Sequence, residues 1–399
     1  MALQTGANVL VAIKRETTTG VAATAAGATE VRYIDSPGLK LDRANILSAE
    51  KRDDAVTPMG RLGGKMVNGT LNLEGTVGGA IDLILEALMR GTWATATAIG
   101  FASVTTVAIG SNTLTTPASD WYAQGFRVGD IFTITGTTLS ANHNLRTPII
   151  AMTTTVITVP AGTFTTLAAT ATGTLTRLKK LVTPTTPTRY SHTVEQYDRD
   201  IDLSELFLGC RVIGVKLSLK PGQPVQLAVS LMGMDRTVLT TGTSPWFTSP
   251  SLTTGLALIA DDCAILKSGV VVSTFTGFDL DFTIAAKGEA VIGSFVSPDI
   301  FDNDLTVSGS ITGLRSDFAN LTSYDAETEF ELQLVLQELA SAPKPCLALY
   351  LPRVKISGLS ANAGGGDGAK VEQLQLMIGP KVAATGYDAT VASWASSAP

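Results

Sequence analysis

The run Cys210-Arg211-Val212-Ile213-Gly214-Val215-Lys216-Leu217-Ser218-Leu219, then Pro221-Gly222, then Val225-Gln226-Leu227-Ala228-Val229-Ser230-Leu231, decides the fold. Apolar and polar residues alternate along both arms, the period of a strand with one buried face, and Pro-Gly is a turn pair, so the stretch predicts a β-hairpin. Upstream, Tyr190 to Tyr197 alternates in the same way, and Val67 to Gly75 reads as a further strand. Directly after that strand the period changes. In Ala80–Arg90 the apolar residues Ile81, Ile84, Leu85 and Leu88 fall at helical spacing, and Gly91 supplies a stop.

The second half of the chain replays this order. Asn68–Thr76 has a counterpart in Asp304–Thr312, each leading into a helical stretch, Ser316–Ala326 in the second copy. Tyr190–Tyr197 corresponds to Glu329–Gln337, and Arg211–Leu219 to Arg353–Leu359. Gly364, Gly365, Gly366 and Asp367 stand where Pro221-Gly222 stood, Val371–Met377 replaces Val225–Leu231, and Gly38–Ala49 pairs roughly with Gly277–Gly288. One matching hairpin would mean little, but five matches in one order predict a duplicated unit.

Residues 95–178 differ in texture, being rich in Thr, Ala and Gly and almost free of charge. Val104–Ala108, Arg127–Thr135 and Thr154–Val159 read there as short strands between turn signals, as in a small β-sandwich or barrel. The proline-rich linker Val182–Thr188 is extended, and the strand pattern resumes after it. The predicted fold class is therefore mainly β: two tandem sandwich or barrel units, each with one flanking α-helix, plus an inserted small β-domain. The predicted organisation is a discontinuous first unit at 1–94 plus 179–240, an outward-facing insert at 95–178 whose removal would leave assembly intact, and a second unit at 241–399.

Composition narrows the function. With 45% hydrophobic and only 16% charged residues, much of the surface is neutral, which favours assembly. A formal net charge of −6 argues against a protein that grips nucleic acid. Cys210, Cys263 and Cys346 are scattered with no paired spacing, and with only His143 and His192 beside them no zinc site and no cofactor are expected. His192 lies inside a strand, His143 in a turn, and no phosphate-binding glycine loop opens a helix, so no catalytic residue is assigned. Asp279 and Asp281, like Asp198 and Asp200, share a strand face at about 7 Å, a generic spacing for a glycosidase pair. Aromatic residues that would hold a glycan are just 6%. The amino terminus lacks a basic leader, and no run reaches the roughly 18 apolar residues of a membrane span, so the chain reads as soluble and made in the cytoplasm.

Four stretches in this order carry a resemblance: Tyr190-Ser191-His192-Thr193-Val194-Glu195-Gln196-Tyr197, Phe207–Val212, Leu227–Asp235 ending in Met232-Gly233-Met234-Asp235, and Tyr350-Leu351-Pro352-Arg353-Val354-Lys355. Together they resemble the tail tube proteins of long-tailed siphophages, over about three-quarters of the chain. Trp121–Asp130 is similar to an element of small accessory β-domains in phage structural proteins. The resemblance implies a virion protein, not an enzyme: sheets joined side by side into rings, rings stacked into a hollow tube for DNA ejection, and, with a duplicated unit, trimers that imitate a hexamer. Its implied partners are further copies of itself and the tail tip, tape measure and tail terminator proteins, with DNA passing unbound and no membrane involved. The alternative is another phage β-protein, a head decoration or adhesin with the insert as its binding module. The charged stretch Glu50-Lys51-Arg52-Asp53-Asp54, with Arg61 and Lys65, reads as a long loop able to reach a neighbouring ring, and Asp299, Asp302 and Asp304 hold a similar place in the second copy.

Overall fold

The computed structural model describes residues 3–6, 8–35, 38–117, 119–339, 342–361, 368–381 and 386–398. The predicted glycine-rich turn at 364–367 lies outside them. The fold is mainly β, and the alternation that predicted strands is seen as burial. Along Gln226–Gly233 and Val371–Ile378 every second side chain enters the core.

Eight antiparallel strands form one continuous ribbon. Lys40–Ile46 pairs with Arg61–Glu74, which pairs with Gln226–Gly233, which pairs with the C-terminal half of the long strand Leu203–Leu219. That half pairs in turn with Phe275–Gly288, followed by Ile300–Leu314, Val371–Ile378 and the C-terminal half of Cys346–Ala361. The second four strands repeat the first four.

Both long strands cross into a second layer. The N-terminal half of Leu203–Leu219 lies between His192–Asp198 and Asp235–Leu239, with Val9–Arg15 next outward. The N-terminal half of Cys346–Ala361 lies between Phe330–Gln337 and Ser393–Ser396, with Cys263–Lys267 next outward. Even the bulges recur, between Val212 and Gly214 in one copy and between Ile356 and Gly358 in the other. A β-bulge bends a strand and raises its twist, which is what a strand shared by two layers needs.

The two α-helices among the described residues differ. Ala80–Met89 buries Ile81, Ile84, Leu85 and Leu88 in the main core and ends on Arg90 in the left-handed region, one residue before the predicted Gly91 stop. Ala319–Asp325, shorter than the predicted Ser316–Ala326, buries none of its residues.

Residues 97–177 form two small sheets with their own core. Trp121 and Phe126 meet edge to face with centroids 5.7 Å apart, beside Phe101, Phe132 and Phe164. Three predicted strands there are trimmed. Phe101–Val104 is a 3-10 turn ahead of Val107–Ile109, the strand expected from Thr154 is Val156–Thr158, and the one expected from Arg127 begins at Ile131 because Gly129, at φ 91°, turns the chain first. The insert is also clamped to the body. Ile131 and Leu178 share a cluster with Leu266, Val335, Cys346, Ala348 and Ala395, and Gln333 donates to the Gly129 carbonyl at 2.8 Å. Removing 95–178 would uncover that cluster. Strand Lys179–Val182, just before the linker, pairs with the C-terminal strand Ser393–Ser396 and so ties the end of the chain to the end of the insert.

Candidate assembly edges and channel face

The two copies meet along one seam of the ribbon, in addition to the pairing of Lys179–Val182 with Ser393–Ser396. Gly214 to Leu219 lie across from Thr283 to Phe278, which puts Val215 against Phe282, Leu217 against Leu280 and Leu219 against Phe278. All six of these side chains are buried. On the other face Lys216 stands across from Asp281, and Ser218 from Asp279. Opposite charges facing one another on neighbouring strands add to the pairing.

Beside the seam an ion cluster joins the copies. Asp302 is approached by Arg189 at 2.7 Å, Arg90 at 3.3 Å and Arg211 at 3.5 Å, and Arg211 also meets Asp299 at 2.7 Å. Arg211 donates as well to the Ile300 carbonyl. The guanidinium of Arg211 is almost wholly buried, a position that a cation tolerates only when carboxylates and acceptors surround it.

The ribbon ends in two edges. Among the described residues, Lys40–Asp42 have a strand on one side only, and so do Gly358–Ala361. Unpaired strand edges are templates for further pairing unless they are covered. The ribbon face turned away from the core carries short polar side chains, among them Asn68, Thr70, Ser230, Ser308, Gln373 and Gln375. Lys40 and Lys216 on that face are accompanied by Asp42, Glu74, Asp279 and Asp281, so acids exceed bases there.

The charged residues singled out from the sequence fall into separate places. Glu50, Lys51, Arg52, Asp53 and Asp54 lie exposed in the segment between Ile46 and Arg61, with Arg52 and Asp54 paired locally at 2.8 Å. Arg61 and Lys65, read as loop residues, belong to the strand Arg61–Glu74, and Lys65 is held by Asp235 at 2.9 Å. Asp302 and Asp304 lie in Ile300–Leu314, where Asp304 is exposed while Asp299 and Asp302 are engaged inside the chain by arginines of the first copy. Asp279 and Asp281 line the ribbon beside Ser218 and Lys216, with no cleft of aromatic residues around them. His192 is buried opposite Cys210, and burial pushes its pKa down to about 4, with the Arg15 charge adding to the shift. Burial likewise pushes the Cys263 and Cys346 thiols up to about 12, which keeps both protonated and unreactive.

A sheet repeated edge to edge with itself, ending in two open borders, is the geometry of an assembling wall. A family model described as phage tail tube protein matches residues 6–377, nearly the whole chain. The chain belongs to the phage tail tube protein family. No curated protein matches it. Members of this family are structural proteins of the phage tail, and the β-sandwich architecture fits that role. No helix among the described residues is long and apolar enough to cross a membrane. Sequence reading missed the arginines around Asp302, because Arg90, Arg189 and Arg211 lie in three segments that only the tertiary fold brings together. It also missed the C-terminal strand Ser393–Ser396, whose four residues are too few to show a period.

Proposed function

We propose that this tail tube protein closes head to tail into rings of three chains, that rings stack into the tube of a siphophage tail, and that the polar ribbon face lines the bore. The observation that carries the reading is the seam between Gly214–Leu219 and Phe278–Thr283. There two copies of one module are already joined edge to edge, with a matching border left open at each end of the ribbon. A contact between unlike edges closes into a ring when its rotation fits a whole number of units. Three duplicated chains supply six units, as the resemblance to siphophage tail tube proteins implies.

The acid excess of the ribbon face suits the passage of DNA during ejection. Phosphate neutralisation by Lys and Arg is the source of non-specific affinity, and a wall poor in it lets the duplex slide. The loop at 47–60, with Glu50 to Asp54, is the proposed contact to the next ring, with Arg61 beside it at the start of the following strand and Asp304 as a separate exposed candidate. The proposed division into a first unit at 1–94 plus 179–240, an insert at 95–178 and a second unit at 241–399 places the insert on the outside of the tube. Tail tip, tape measure and terminator proteins are the further partners this role requires.

The test is electron microscopy of the purified chain, with mass measurement of the assembled species. Stacked rings with a central hole, each of three chains, are the expected result. A protein that stays a monomer at high concentration would overturn the reading.

A further inference from the structure

The internal seam also specifies how one chain meets the next, residue by residue. In the repeat, Gly214 corresponds to Gly358, since each follows the bulge of its long strand and lies across from Ser230 or Gln375. Thr283 corresponds to Asp42, because Gly309 and Gly69 mark the same row of the neighbouring strands, across from Leu376 and Leu231. The bulge that follows also recurs, between Ile284 and Ala286 in one copy and between Arg43 and Asn45 in the other. The seam therefore has a counterpart of which one half lies at each end of the ribbon.

Resting on the tube reading, we infer that the occupant of the open Gly358–Ala361 edge is the Leu39–Asp42 edge of a second copy of this chain. The two run antiparallel, with Gly358 across from Asp42, Leu359 from Leu41, Ser360 from Lys40 and Ala361 from Leu39. The burial pattern supports this register. Leu359 and Leu41 are half-buried, whereas Val215 and Phe282, which hold their places at the internal seam, are buried completely. A partner strand is what separates the two situations. The pairing also brings Leu359 and Leu41 together on the core side and Ser360 and Lys40 on the polar side, so the faces agree.

The outer joint differs in charge from the inner one. Where Asp302 stands inside the chain, the incoming edge presents Leu62, which is 55% exposed. Where Arg211 and Arg189 stand, the receiving copy has Lys355 and Glu327, already within 3.5 Å of one another. The receiving side thus neutralises its own cation and needs no carboxylate from its neighbour. An incoming Leu62 set against Arg211 would instead leave that arginine unpaired, which disfavours the wrong pairing of units.

The experiment is oxidative crosslinking in the full chain. Ser360→Cys with Lys40→Cys places two thiols on directly opposed residues, within the Cα separation a disulfide spans. Ser360→Cys with Asp42→Cys places them on a diagonal of about 7–8 Å, beyond it. The expected result is covalent rings on a non-reducing gel for the first pair only, with the wild-type chain and its native cysteines as control. Crosslinking of the diagonal pair instead would overturn the register. Rings by microscopy with neither pair crosslinked would overturn this joint and leave the tube reading standing. Absence of rings from wild type and variants alike would overturn the tube reading itself.

Discussion

Gly69 and Gly309 hold one position in the two copies, and at each the strand alongside leaves no room for a side chain. A Cβ on Gly69 would lie 2.3 Å from the Gly38 carbonyl oxygen, and one on Gly309 would lie 2.6 Å from Leu280 Cδ2 and 2.8 Å from the Asp279 carbonyl oxygen. The consequences differ because the neighbours differ. The strand next to Gly309 is held from both sides, whereas the strand next to Gly69 is the free edge. Gly309→Ala is expected to cost about 1–3 kcal/mol of chain stability, the usual range for overpacking. Gly69→Ala is expected to cost the isolated chain less, since an edge strand can shift, and to impair assembly more. Denaturant midpoints and sedimentation of the two variants check this. Equal losses in both measurements would contradict it.

Asp302 is the acceptor shared by Arg90, Arg189 and Arg211. Asp302→Ala takes the shared carboxylate from the buried Arg90 and from Arg189 while Arg211 keeps Asp299 and the Ile300 carbonyl, and breaking a buried pair on one side costs roughly 3–5 kcal/mol. Asp304→Ala, on the same strand but exposed, is expected to be nearly neutral. Urea unfolding of dilute, unassembled chain measures both. A loss for Asp302→Ala no larger than that for Asp304→Ala would show that the cluster does not hold the copies together.

How much of this was legible in the sequence follows from the range of the forces involved. The hairpin at Leu203–Leu219 and Gln226–Gly233 could be read because its alternation is local, and the duplication because order survives even where single residues diverge. The register of the repeat was less accessible. By sequence Asn68 was set against Asp304, whereas the pairing sets it against Ser308, since both lie across from a methionine, Met232 and Met377. Alternating strands match themselves at every second residue, so pattern alone cannot choose among slips by an even number of residues. The bulges choose, and a bulge is visible only once the partner strand is known. The charged candidates suffered in the same way: exposure of Glu50 to Asp54 follows from local composition, while the engagement of Asp299 and Asp302 depends on arginines far away in the chain.

His192 offers a pH test, because its place in the second copy is filled by Phe330: His192 lies across from Cys210 as Phe330 lies across from Val354. With its folded pKa lowered to about 4 by burial, against about 6.5 unfolded, the unfolded chain binds the proton more readily across that window. Stability from this group is therefore complete above about pH 6.5 and is lost as pH falls toward 4, by about 3 kcal/mol at most. His192→Phe is expected to flatten that slope in unfolding measurements between pH 7 and 4. An unchanged slope would assign the acid sensitivity to other groups.

Lys180 ties three segments together and gives the last prediction. Its ammonium lies 2.6 Å from Asp130 of the insert and also meets Asp388 near the C-terminus, and the side chain is nearly inaccessible. Burial raises the Asp130 pKa even with Lys180 present, so the fold penalises the carboxylate's charge relative to water. Lys180→Met removes the opposing charge and is expected to destabilise the chain at pH 7 by roughly 3–5 kcal/mol, the cost of stranding a buried ion. The sign of its pH dependence is opposite to that of His192. A carboxyl whose folded pKa stands above the unfolded value stabilises the fold at low pH and loses that contribution as pH rises. The stability difference between Lys180→Met and wild type should therefore shrink as pH is lowered from 7 toward 5, and Asp130→Asn added to Lys180→Met should recover much of it at pH 7. Taking the difference at each pH removes the His192 contribution, which is common to both proteins. A difference independent of pH, together with no recovery on adding Asp130→Asn, would mean that the insert is held by its apolar contacts with Leu266, Val335 and Ala348 and by hydrogen bonds such as that from Gln333, not by this ion pair.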